Sequence, residues 1–171
     1  MLVAQYSVCS REYAPQKPFV SWEDSSIRKW LNSSFYDDTF TNIEKKAILV
    51  TDVDNSTSQA TGAKDTTNKW KAKGGNKTQD RIYLLSYIEA KKYFPDLKCT
   101  ESAGGESKKW WTRCSGSPKS FSGTLALAVD ERCVGRSNGS TAYGQWADQK
   151  FLIRPALWVD LYSDYFWDVN E

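Results

Sequence analysis

The chain contains no histidine. That single absence removes Ser-His-Asp and Cys-His nucleophilic catalysis together with the commonest zinc ligand. The four cysteines, Cys9, Cys99, Cys114 and Cys133, are widely spaced with no C-x-x-C pair, which argues against a structural zinc site. No apolar stretch approaches the roughly 20 residues needed to span a bilayer. An excess of one charge is missing too. The 23 basic and 21 acidic residues leave a formal net charge of +2, so charge gives no case for nucleic acid or an anionic membrane. Met1 to Tyr13 lacks a charged segment followed by an apolar run, and no signal peptide is expected there. Leu2-Val3-Ala4 already reads as a strand, which fits a mature domain or a piece of a longer protein.

Large rings are what the chain has in quantity: 8 Trp, 9 Tyr and 7 Phe, against a mean hydropathy of −0.62. Rings therefore carry the core while much of the remainder is polar loop. A length of 171 residues suits one domain, residues 1–171, with a proper core. Two segments set an arginine among aromatic and aliphatic neighbours: Trp110-Trp111-Thr112-Arg113 and Ile153-Arg154-Pro155-Ala156-Leu157-Trp158. An arginine in such company is costly unless carboxylates or carbonyls satisfy its donors, so both are expected to be held by the fold.

Along the chain, residues 2–9 read as a strand, and Ser21-Trp22-Glu23-Asp24 as a capping-box-like helix start. Ile27, Trp30 and Leu31 follow at helical spacing, Ile43-Glu44-Lys45-Lys46 adds a further helical turn, and Ala47 to Val53 reads as a strand. Residues 54–79 form a long polar loop in which Trp70 is the only large ring. Arg81 to Leu85 predicts a strand, and Ser86-Tyr87-Ile88-Glu89 fits the S-x-x-E start of a second helix. Further strands are expected over Lys109–Arg113, Gly123–Val129 and Phe151–Leu161, with Pro155 implying an edge or a bulge. Residues 135–149 read as another loop. The pattern is α+β, two short helices with a small, mostly antiparallel sheet and long loops.

Two readings of the cysteines stand: two disulfides with three connectivities, Cys114–Cys133 being the preferred pair, or reduced thiols acting as small hydrophobes. Asp52-Val53-Asp54-Asn55-Ser56 begins like a calcium loop, but Thr57 and Ala63 occupy the positions that need Gly and Glu, so the match breaks. Neither a metal nor another cofactor is expected.

Six segments recur in order in an uncharacterised bacterial domain family that this chain resembles. They are Ile27-Arg28-Lys29-Trp30-Leu31-Asn32 with Phe35-Tyr36, Gly74-Gly75-Asn76 with Asp80, and Leu84-Leu85-Ser86 with Glu89-Ala90, then Tyr93-Phe94 and the two tryptophan–arginine segments. The usual family forms of the last two are W-W-L-R-S-P-G and G-V-R-P-A-L-W. The resemblance covers roughly residues 1–160. Cys114-Ser115-Gly116 replaces S-P-G here, and Phe151-Leu152 precede Ile153-Arg154. The family is distantly similar to the C-type-lectin and formylglycine-generating-enzyme fold. That resemblance implies two helices flanking a small twisted sheet, and attachment to bacterial surface or exported proteins.

The expected ligand residues are Tyr143, Gln145, Trp146 and Asp148 of the loop before the last strand, with Trp70 of the long loop. Amphipathic aromatics beside small polar residues make an adaptable binding surface. Trp110, Trp111, Arg113, Arg154 and Trp158 are expected to be structural. The reading is a non-catalytic recognition domain of a bacterial or phage-associated surface protein, extracellular or at the cell surface, with a protein or glycan ligand. An enzyme related to the sulfatase-modifying group, and a retroelement-diversified protein of the same fold, stand beside it as alternatives.

Overall fold

The apolar run expected as one strand from Phe151 to Leu161 is two strands in two different sheets, and that break organises the molecule. The structure, a computed structural model, describes residues 1–15, 20–61, 74–94, 100–101, 107–116, 125–129 and 142–163. Over these the chain runs β1 (Leu2–Val3), β2 (Cys9–Glu12), α1 (Ser26–Leu31), α2 (Ser34–Thr39), α3 (Asn42–Ala47), β3 (Thr51–Val53) and a 3-10 turn (Thr57–Ala60). It continues through β4 (Thr78–Asp80), β5 (Ile82–Leu84), α4 (Tyr87–Tyr93), β6 (Thr100–Glu101), β7 (Ser107–Lys108), β8 (Trp110–Ser115) and β9 (Leu125–Val129). It ends with β10 (Ala142–Trp146), β11 (Lys150–Ile153) and β12 (Pro155–Leu157).

A five-stranded sheet has the order β10-β9-β8-β11-β2, and a three-stranded sheet the order β1-β12-β5. Pairs β3–β4 and β6–β7 form two-stranded sheets. Every pair is antiparallel except β8 with β11, where Leu152 lies opposite Trp110. The fold is therefore mixed α and β with few helices and mostly antiparallel sheets. β11 and β12 are separated by Arg154 alone, so the chain passes from one sheet into the other at that residue. Pro155 does not mark an edge: it opens the central strand of the smaller sheet, a first-residue position that tolerates its missing N–H.

The described residues hold four short α-helices rather than two. The first is capped by Ser25, whose side chain accepts the Arg28 amide at 3.1 Å, not by the Ser21 segment. Ile27 and Leu31, four apart, are both fully buried from this helix. Both α3 and α4 start with complete capping boxes, Thr41 with Glu44 and Ser86 with Glu89. The strand expected over 47–53 is confined to Thr51–Val53, and the 54–79 loop ends in β4, while residues 62–73 lie outside the described residues.

Trp22, Trp110 and Trp111 are buried outright, with Tyr13 edge-on to Trp111 at 5.6 Å between centroids. Each such ring withdraws about 150–250 Å² from water, on the order of 4–6 kcal/mol of transfer free energy. All six positions of β8 are buried, so this strand has no solvent face.

Candidate functional site

Most of the polar motif residues are consumed by the fold. A register shift in β8 between Trp111 and Ser115 turns the strand away from β9, and the Arg113 amide bonds to Leu85 O at 3.0 Å. The Arg113 side chain, 2% exposed, thereby enters the space between β5, α4 and the turn after β3. Its terminal nitrogens donate to Leu84 O at 3.1 Å, Asp54 O at 3.0 Å and both Glu89 oxygens. Glu89 also accepts the Ser86 amide at 2.9 Å, so one carboxylate caps α4 and neutralises the buried cation. Arg154 Nε donates to Ala4 O at 2.7 Å, and the guanidinium stacks over Phe94 and Trp110 at 4.0 and 5.7 Å. Its desolvation pushes its pKa below the ordinary arginine value.

Asp80 is a second hub. It accepts Trp22 Nε1 at 2.8 Å, Arg28 Nε at 2.6 Å and the Thr78 hydroxyl at 2.8 Å. Asn55 joins by donating to Thr78 Oγ1 at 3.1 Å and Asn76 O at 2.8 Å. Asn32 imitates a neighbouring strand for β5: its Oδ1 accepts the Arg81 and Ile82 amides, and its Nδ2 donates to Ile82 O at 2.8 Å. A Cβ on Gly74 would press on the Thr57 amide and come within 2.7 Å of the Ser56 carbonyl carbon. The calcium-like segment is spent as well. Asp54 accepts the Ser56 amide at 2.9 Å and Gln59 Nε2 at 3.0 Å, and the first of these bonds holds its carboxyl below the usual range. Asp52 accepts from Gln79 at 3.1 Å. Among the described residues no three His, Cys, Asp or Glu side chains group to hold a metal.

The segment expected as a ligand loop is partly a strand. Ala142–Trp146 pairs with β9 over five positions, from Ala142 opposite Val129 to Trp146 opposite Leu125. Gly144 interrupts the strand pattern in sequence, but the Leu125–Val129 run beside it supplies the ladder. β10 is an edge of the five-stranded sheet. The following turn is pinned by bonds from Gln149 N to Trp146 O and from Ala14 N to Ala147 O, each 3.0 Å. Gln145, Trp146 and Asp148 are half-buried, and Gln145 Oε1 accepts Lys109 Nζ at 3.3 Å. Trp70, Cys133 and the Tyr143 side chain lie outside what is described. Trp158, unlike Trp110 and Trp111, is 40% exposed. Cys114 is a free buried thiol contacting Tyr87 N and Gln59 O, each at 3.4 Å, and no disulfide joins it to another described residue.

A family model described as a domain of unknown function (DUF6273) matches residues 1–161. The chain belongs to the DUF6273 family. No curated protein and no solved structure matches it.

In this DUF6273 domain one feature escaped sequence reasoning. A cleft of about 370 Å³ opens between β2 and the start of α1. Nothing in the alternation of Cys9-Ser10-Arg11-Glu12 marks it, because it depends on β2 being an edge strand beside the helix.

Proposed function

We propose that this DUF6273 domain is a non-catalytic recognition module of C-type-lectin-like architecture, displayed on a bacterial or phage-associated surface, that binds a protein or glycan. The site is the β10 edge and the turn leading into β11. One observation carries the reading: β10 is a sheet edge that leads into a turn pinned at both ends, and along this stretch Gln145, Trp146 and Asp148 are half-buried. A ring held on a rigid frame with part of its face accessible loses little entropy when a ligand covers it. Meanwhile Asp80 is tied to the side chains of Trp22, Arg28 and Thr78, and Glu89 and Arg113 are tied to each other and to main chain.

The test is a glycan array and a quantified protein-binding assay with wild type and Trp146→Ala. Truncating an anchoring tryptophan costs about 2 kcal/mol or more, or roughly a 30-fold loss of affinity. Equal binding by the two proteins would remove the site from β10.

A further inference from the structure

Arg28 and Arg113 have every terminal nitrogen hydrogen-bonded, the first to Glu23 O and Gln79 O, the second to Leu84 O, Asp54 O and the Glu89 carboxylate. Arg154 differs. It is half-buried at the step from β11 to β12, and its Nε alone has a hydrogen-bond partner among the described residues, Ala4 O at 2.7 Å. Its terminal nitrogens form no ion pair among those residues, yet neither is sealed from solvent. The guanidinium is nevertheless fixed in place. It stacks over Phe94, the C-cap of α4, at 4.0 Å, with Trp110 of β8 at 5.7 Å. The main chain on either side of it is locked as well, Val8 N donating to Ile153 O at 3.0 Å and Ala4 N to Pro155 O at 2.9 Å. Desolvation lowers its pKa, and no carboxylate among the described residues offsets that cost.

We infer that Arg154 binds a carboxylate ligand, gripped through its two terminal nitrogens at the junction of the two main sheets. Giving Nε to Ala4 O uses up the side-on pairing of the guanidinium. What remains is the end-on fork, whose two N–H groups match the two oxygens of one carboxylate. Stacking on Phe94 occupies a face of the cation and leaves its in-plane edge to the anion. Charge selects the same class. One cation without an acid beside it is neutralised by a monoanion. Lys92 and Lys109, close in sequence to Phe94 and Trp110, lie over other rings, Tyr93 and Phe151, so a phosphate dianion finds no second cation there. Ala4 and Phe94 offer the body of a ligand no side-chain hydroxyl or amide, which favours a carboxylate on an apolar body over one on a hydroxylated ring. A fork already ordered by its stack and its anchor loses little entropy when the anion arrives.

The Arg154 Nε–H group, held by Ala4 O, reports the binding by NMR. Nitrogen-15-labelled protein is titrated at constant ionic strength with N-acetylleucine, its neutral amide or inorganic phosphate. N-acetylleucine moves the Nε–H cross-peak saturably, and the amide and phosphate leave it in place. Arg154→Lys keeps the charge and loses the fork. Read at the Ala4 amide in both proteins, its half-saturation concentration is about tenfold higher than that of wild type. Butyrate and N-acetyl-alanyl-leucine run in parallel. Tighter binding of the dipeptide assigns the carboxylate to a peptide end, and tighter binding of butyrate assigns it to a free acid. No saturable shift with any carboxylate, an equal shift with the amide or phosphate, or unchanged affinity in Arg154→Lys would each overturn the inference. The first two of these are read on wild type alone and hold whether or not the variant folds. Trp146→Ala leaves the titration unaltered, so this result and the β10 result fail separately.

Discussion

Glu89→Gln tests whether the Arg113–Glu89 pair supports the fold. Glutamine serves a capping box as well as glutamate does, so the start of α4 is preserved and only the charge is removed. Arg113 is 2% exposed and cannot recover water when its counter-ion goes. Breaking a buried pair from one side costs about 3–5 kcal/mol. Glu89 is 30% exposed, which lets water screen part of the field, and the expected loss is about 2–3 kcal/mol. Glu89→Ala should lose about 1 kcal/mol more, because it also abolishes the cap. Urea unfolding is the assay. With a slope near 2 kcal/mol/M, Glu89→Gln moves the midpoint down by about 1 M with the slope unchanged. Adding Arg113→Met to Glu89→Gln should recover part of the loss, since no unpaired charge is left inside. A Glu89→Gln protein within about 0.5 kcal/mol of wild type, a margin typical of neutral surface changes, would refute the reasoning.

Three further expectations follow from the same contacts. Gly74→Ala should destabilise the fold more than Gly75→Ala in the same urea assay. The new methyl meets Thr57 and Ser56 backbone in the first case and the Ser21 side chain in the second; equal losses would refute this. Burial pushes the Tyr83 hydroxyl up to about 12 from an ordinary value of 10.0, so its contribution is complete below pH 10 and falls as pH rises from 10 to 12. Tyr83→Phe should flatten that alkaline decline, and parallel stability–pH curves would exclude Tyr83 as its source. Native alkylation should label Cys9 before Cys114, whose thiol is buried and pushed up by desolvation, and Cys114 should react once the protein is denatured without reductant. A Cys114 that reacts only after reduction is in a disulfide.

What was legible in the sequence was local. The Ser86-x-x-Glu89 cap, the apolar face of Ile27 and Leu31 and the start of β8 follow from spacing alone, because each is decided within a few residues. The arginines were readable as a requirement: an apolar setting demands that their donors be satisfied, although not by whom. The partners were not readable, since Arg113 draws on Leu84, Glu89 and Asp54, up to 59 positions away. Pairing was equally hidden. Gly144 in a polar surrounding disguised β10 as loop, and no local signal shows that the Phe151–Leu161 run breaks at Arg154 into two sheets. Asn32 stood out only as part of a recurring segment, while its use as a substitute strand for β5 exists only in three dimensions.

The sheet order has a consequence for how the chain is made. β1 pairs with β12 and β2 pairs with β11, so strands made early in this domain wait for strands made late in it. At about 5–20 residues per second, the roughly 140 residues between β2 and β11 take on the order of 7–30 seconds to be added. Through that interval the Leu2–Val3 and Cys9–Glu12 backbones have no sheet to join, and both main sheets close together only when the segment around Arg154 emerges.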